Sequence, residues 1–354
     1  MRRASCRHGC SILPPDLLRH IAQHGTARQR EAALDTLGVD HTLRLARATL
    51  QLLGPPARRG LFGLAGAQKQ RTIYDAGHGE TLPGRVVRNE GDARGSDVEV
   101  DEAYDGLGAT FDFFAEVFDR NSIDDEGLHL DATVHYGRRY DNAFWNGRQM
   151  VFGDGDGDLF NRFTISLDVI AHELAHGVTG DEAGLVYLGQ VGALNESLSD
   201  VFGSLVKQYA RRQTAAQADW LIGEGLFTAK VHGVALRSLK APGTAFDDPL
   251  LGRDPQPATM AGYVHTSSDN GGVHTNSGIP NHAFQLAAIA LGGYAWEKAG
   301  RIWYDTLRDR RLKQNATFRQ FARLTVQNAE QAFGASERDA VVAAWAEVGI
   351  RTQR

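Results

Sequence analysis

The chain has 354 residues, of which 42% are hydrophobic and 23% charged, and its net charge is −5. That length leads us to expect two domains, each with a sizeable core. The weakly acidic balance and the lack of a basic tract argue against nucleic acid as a partner. No apolar run approaches the roughly 20 residues a membrane span requires.

The start, MRRASCRHGCSILPPDLL, has the positive residues of a signal peptide, but Pro14, Pro15 and Asp16 interrupt any apolar region. Synthesis in the cytoplasm is therefore expected, with any secretion by a non-classical route. The only cysteines are Cys6 and Cys10, which read as free thiols and fit a reducing compartment. A sharper reading makes Cys10 a thiolate that plugs a zinc site in an inactive precursor.

Residues 11–53 read as short helices, with a Pro-started amphipathic turn in PPDLLRHIAQHG and Leu at helical spacing further on. GPPARRGLFGLAGAQKQ, residues 54–70, has no acidic residue and no clear period, as an exposed linker would. From Arg71 come turn-punctuated strands, interrupted by one helix near DEAYDGLGATFDFFAEVFDR. After about residue 166 helical patterns dominate. No internal repeat is visible.

The chemistry concentrates in AHELAH, residues 171–176. His172 and His176 are four apart, so a helix puts both imidazoles on one face. Two such rings can grip one metal ion while Glu173 stays free as a general base, the H-E-x-x-H zinc pattern. A catalytic zinc needs a third protein ligand. GALNESLSDVFGSLVKQYA offers Glu196, with Asp200 one turn on to hold the free N–H of a ligating imidazole. An acidic pair at this spacing is usually a solvated helix face, but here the helix around it is largely apolar.

From Arg71 to the C-terminus the sequence resembles the thermolysin-like zinc metallopeptidases. The likeness rests on DNAFWNGRQMVFGDGDG, DVIAHELAHGVT, GLVY, GALNESLSD, DWLIGE, LRS and DNGGVHTNSGIPN, in that order. It implies an α+β fold: a mixed, β-rich N-terminal domain over 69–183 and a mainly helical C-terminal domain over 184–354, with zinc in the cleft between them. Residues 1–68 would be a short helical propeptide and linker. PPDLL and the short N-terminal block resemble the protealysin-like branch, whose precursors carry such a propeptide.

Carried over residue by residue, the resemblance gives zinc to His172, His176 and Glu196. Glu173 becomes the base that takes a proton from the attacking water and passes it to the leaving amine. Tyr187 and His274 would donate to the developing oxyanion, and Asp269 would orient His274 and favour its protonated form. Asn142 and Ala143 would hold the substrate backbone, and Arg237 the carbonyl just beyond the scissile bond. Phe160, Phe163, Val169, Ile222 and Leu236 would line an apolar pocket, so cleavage is expected before Leu, Phe or Ile.

DGDGD at 154–158 fails as an EF-hand loop, because Leu159 and Ile165 stand where Gly and Glu are needed. The family points instead to Asp168, Asp219 and Glu224 for calcium. Relatives with a paired calcium site have an acidic residue where this chain has Lys207, so a single ion near the cleft is expected.

The partners implied are peptide and protein substrates and the chain's own propeptide as an intramolecular inhibitor. A protein inhibitor is admitted, and a monomer is expected. Self-cleavage should give a new N-terminus at Leu61, Phe62 or Leu64. Two rivals are an aminopeptidase, which would need an acidic site for a free amine, and a zinc-stabilised binding protein without activity.

Overall fold

The computed structural model describes residues 10–53 and 68–352, excepting the side chains of Cys10 and of residues 43–53. The Cys10 thiol, Cys6 and the expected maturation sites at Leu61, Phe62 and Leu64 lie outside what is described.

The chain opens with a two-residue strand, β1 (Cys10–Ser11), then α1 (Pro15–His24) and α2 (Ala27–Leu53). Two expectations need correction here. Residues 10–13 are not helical, Cys10 and Ser11 forming a strand, and one 27-residue helix replaces several short ones. Gly38, which costs about 1 kcal/mol relative to Ala in a helix, does not break α2. Its buried face, with Ala32, Ala33, Thr36 and Asp40, carries the helix through.

Next come β2 (Arg71–Asp75), β3 (Arg85–Asn89), α3 (Val98–Phe118), β4 (Leu130–Val134), β5 (Ala143–Trp145) and β6 (Gln149–Phe152). The sheet runs β1-β5-β6-β4-β2-β3. β2, β4 and β6 are mutually parallel, while β5 is antiparallel to both β6 and β1. RTIYD thus enters the sheet between two partners, as the strand reading from Arg71 expected. α3 packs on this sheet, and its Phe111, Phe113, Phe114 and Phe118 are buried, the last three with Phe202, Tyr209 and Tyr304 against their rings.

Helices then take over: α4 (Leu167–Glu182) and α5 (Gly189–Ala210). The short strands β7 (Leu221–Ile222), β8 (Arg237–Ser238), β9 (Asp247–Asp248) and β10 (Gly252–Arg253) follow. α6 (Asp269–Asn276), α7 (Gly278–Leu291), α8 (Arg301–Arg308), α9 (Phe318–Phe333) and α10 (Ala335–Glu347) complete the chain. The helical half is packed around stacked Trp303 and Trp345, whose ring centroids are 5.9 Å apart.

Two features set the position of the cleft. Gly203 lets α5 approach α4 closely, since a Cβ there would lie 2.5 Å from the Asp168 carbonyl oxygen. Arg120, fully buried after α3, donates to Asp181 (2.9 Å) at the end of α4 and to the Tyr304 hydroxyl (3.3 Å) on α8. A buried ion pair of this kind is costly to break, so it fixes the end of α4 to the turn after α3, and the Tyr304 contact reaches across to the helical half.

Candidate active site

α4 and α5 carry the central cluster. On α4, His172, Glu173 and His176 are all buried, and on α5 so are Asn195, Glu196, Ser199 and Asp200. Helical spacing aims the two rings together: the Nε2 atoms of His172 and His176 are 3.1 Å apart. Each is 3.5 Å from an oxygen of Glu196. Each ring has a fixed outer partner, Asp200 Oδ1 at 2.8 Å from His172 Nδ1 and Asn195 Oδ1 at 2.8 Å from His176 Nδ1. Such outer contacts hold a ligating imidazole in one tautomer and orientation.

The donor set fits a zinc ion. Two Nε2 atoms and a carboxylate converge, and Glu196 Oε2 is buried without a hydrogen-bond partner. Burial alone would raise the Glu196 carboxyl, but His274, His176 and His172 outweigh it and hold it well below the usual carboxylate range. Glu173 stands beside this cluster, its Oε2 accepting from the Trp145 backbone N–H at 3.0 Å. Its Oε1 is buried and unpaired. Burial pushes the Glu173 carboxyl well above its ordinary value.

On the opposite wall, DNGG forms a left-handed turn at the start of α6, with φ of 49, 51, 84 and 73° from Asp269 to Gly272. Glycine and asparagine tolerate that region best. The turn brings Asp269 back onto His274, accepting from its Nδ1 at 2.8 Å and its backbone N–H at 2.9 Å. Burial works to lower the His274 pKa, but the Asp269 and Glu196 carboxylates prevail and it ends above its ordinary value. His274 Nε2 is 3.4 Å from the Tyr187 hydroxyl, which donates to Glu196.

Into this space runs the N-terminal segment. β1 pairs antiparallel with β5, Ser11 opposite Phe144. Ile12 N–H donates to the Ala143 carbonyl (3.2 Å) and Leu13 N–H to Asn142 Oδ1 (3.0 Å). Arg237 Nη1 donates to the Ile12 carbonyl (3.0 Å), and His274 Nε2 faces the Ser11 carbonyl (3.1 Å). Ile12 and Leu13 are buried in the same apolar core as Phe160, Phe163, Val169, Ile222 and Leu236. Asp40 of α2 braces the receiving edge, accepting from Asn142 Nδ2 and the Tyr140 hydroxyl, each at 2.8 Å.

Several participants escaped sequence reasoning. Asn195 and Ser199 both face His176 Nδ1, and their i, i+4 spacing parallels that of Glu196 and Asp200. Arg237 does more than reach a carbonyl: its Nε and Nη2 grip Asp200 at 2.9 and 2.8 Å. The Trp145 amide and Asn281, which donates to Asp200 at 2.8 Å, had no local sequence signal.

The calcium expectation requires correction. Asp168, Asp219 and Glu224 do meet, but around cations of the chain itself. Lys207 Nζ lies 2.7 Å from Asp168, 2.8 Å from Asp219 and 2.7 Å from the Leu221 carbonyl. Arg211 pairs with Asp219 and Glu224 at 3.2 and 3.4 Å. The carboxylates are already neutralised and an ammonium fills the space between them, so these residues do not fit a calcium ion.

Two helices crossing to present a His-Glu-His cluster and a carboxylate beneath an edge strand define a metallopeptidase-type centre. The sequence matches the catalytic domain of thermolysin metallopeptidases over residues 49–180 and their alpha-helical domain over residues 183–350. It is 56% identical over 345 residues to the extracellular metalloprotease of Pectobacterium carotovorum subsp. carotovorum, covering 98% of this chain and 97% of that protein. With thermolysin of Bacillus sp. (strain EA1) the identity is 40% over 276 residues, covering 75% of this chain and 48% of that one. The structure superposes on the precursor of protealysin, a metalloproteinase from Serratia proteamaculans, with a TM-score of 0.88 and 58% identity, over 96% of this chain and 99% of that one. The chain belongs to the thermolysin metallopeptidase family, in its protealysin-like branch, and is a metalloendopeptidase.

Proposed function

We propose that this protein is a zinc endopeptidase made as a latent precursor, which cuts on the N-terminal side of large hydrophobic residues. The observation that carries this reading is the register of residues 11–13. Ala143 and Asn142 receive consecutive N–H groups, Arg237 takes the Ile12 carbonyl and His274 faces the Ser11 carbonyl. A peptide substrate in that register would present the bond equivalent to Ser11–Ile12 for cleavage, with a large apolar residue following it.

His172, His176 and Glu196 would hold a zinc ion, which when bound would supply Lewis acidity toward the carbonyl and the attacking water. Glu173 takes up the proton of that water and returns it to the leaving amine. His274, whose protonated form Asp269 favours, and Tyr187 stabilise the oxyanion. Asn142, Ala143 and Arg237 align the backbone, while Phe160, Phe163, Val169, Ile222 and Leu236 form the pocket for the following side chain.

Residues 1–68 act as the removable inhibitory segment, since residues 10–13 lie along the β5 edge beside the histidine cluster and α1 and α2 are bonded to the rest of the chain. Asp16 and His20 reach Ser268 and the Leu250 carbonyl, and Gln29 and Thr36 reach Asp158 and Asp141. Domains over 69–183 and 184–354 flank the cleft. The relative named as extracellular supports action outside the cell.

Hydrolysis of casein by the matured protein tests this reading, with product N-termini read by mass spectrometry. Loss of turnover on chelation, recovery with zinc, and new termini at Leu, Phe and Ile are expected. Turnover that survives zinc removal, or termini without large hydrophobes, would overturn it.

A further inference from the structure

β2, β4 and β6 are parallel neighbours, so their C-terminal ends emerge on one side of the sheet. Ligands of open sheets gather where strand ends converge in this way. Here the residues beyond the ends are His78 in the turn after β2, His135 directly after β4, and Asp154 after β6. Both histidines have left-handed backbone, with φ of 62 and 55°, a conformation uncommon for such residues. The N-terminus of α3 closes the group with its cap Asp97 and with Glu99 in its first turn.

We propose that His78, His135, Asp154 and Glu99 form a second metal site, separate from the catalytic cluster, for a divalent transition ion of the zinc class. His78 Nδ1 and His135 Nδ1 lie 3.1 and 3.0 Å from the two oxygens of Asp154. The three ligand atoms fall within 4.8 Å of one another. Bonds of about 2.0–2.2 Å to a tetrahedral ion would separate neighbouring ligand atoms by roughly 3.3–3.6 Å, so small adjustments suffice.

Glu99 Oε2 would be the fourth donor, buried beside the other three at 3.7 Å from His135 Nδ1. On the far side of the ring, Asp97 Oδ2 takes His135 Nε2 at 2.9 Å. That carboxylate–imidazole pairing fixes a ligating histidine with its other nitrogen turned to the metal.

The charge pattern points the same way. Three carboxylates, Asp97, Glu99 and Asp154, surround two imidazoles. Arg162 also faces Glu99, but its Nε and Nη2 are taken by Glu102 at 2.8 and 2.6 Å. Two imidazoles with carboxylates suit zinc and its neighbours, whereas calcium and magnesium call for oxygen alone. His78 is half exposed, which gives an ion access from solvent. Once bound, the ion would tie three strand ends to α3.

The test uses the full-length Glu173→Gln protein, stripped of metal, reloaded with excess zinc and desalted, with zinc counted per chain. About two ions are expected, falling to about one when His78→Ala or Asp154→Asn is added. The melting temperature should rise with the second equivalent in the parent and not in either variant. The exposed position of His78 keeps that variant foldable. One ion in the parent overturns the proposal. Two ions retained in both variants also overturn it, because the second zinc then lies elsewhere.

Discussion

The Ile12 carbonyl oxygen lies 3.0 Å from Nη1 of Arg237, whose Nε and Nη2 are held by Asp200, the same carboxylate that holds His172. One residue thus joins the N-terminal strand to the partner of a metal-cluster histidine. The segment is also held by the Ile12 N–H on the Ala143 carbonyl and by the fully buried Ile12 side chain.

Replacing Ile12 with Ala should weaken latency. Truncating a buried Ile costs about 2–5 kcal/mol. If all of it fell on strand docking, opening would rise roughly 30- to 4,000-fold, an upper bound because part of the loss falls on the α1 packing. The rate at which activity appears in freshly purified precursor checks this, and an unchanged rate would remove Ile12 from the latency device.

Lys207 should do the work expected of calcium. In the Glu173→Gln background, which avoids self-digestion, the melting temperature should be indifferent to EGTA and to added calcium. Lys207→Met leaves Asp168, fully buried, without its cation, and breaking such a pair costs about 3–5 kcal/mol. Added calcium should restore part of that variant's stability. A native protein that loses stability in EGTA would show that Lys207 does not substitute.

The alkaline limb of kcat/KM should report His274. Burial alone would lower its pKa, and Asp269 and Glu196 together raise it above 6.5. A protonated donor is present below that pKa and lost as pH rises through it. Asp269→Asn removes the stronger of the two raising carboxylates, so activity should fall away at lower pH than in the native enzyme. An unmoved limb would assign it to a different group.

Glu173→Gln and Glu196→Ala should separate chemistry from metal binding. The first keeps zinc and loses hydrolysis by roughly 100- to 10,000-fold, as expected for removal of a general base. The second loses zinc, as measured by metal analysis. Normal zinc content after Glu196→Ala would take that residue out of the ligand set.

Much of this was legible wherever helical periodicity carried it. AHELAH and NESLSD sit on α4 and α5 with the i, i+4 pairs facing one another, and the strand pattern from Arg71 became the sheet. What stayed hidden depends on long-range pairing. A two-residue strand leaves no period, so nothing in CSIL announces that it would lie on NAFW. Asp40 bracing Asn142 is likewise invisible within a helix pattern. Lys207 was readable as a charge reversal, but its contact with both Asp168 and Asp219 was not. His78, His135 and Asp154 are scattered across three strand ends, and only the parallel order of those strands collects them.

Intact mass followed over time, for the native precursor beside Glu173→Gln, tests most directly that the cleft strand belongs to a removable inhibitor of a self-acting zinc enzyme. The native chain should lose its N-terminal segment as activity rises, with a new terminus at Leu61, Phe62 or Leu64, while the Gln variant keeps its full mass. A native chain that is fully active with Met1 intact, or a Gln variant trimmed at the same rate, would contradict it.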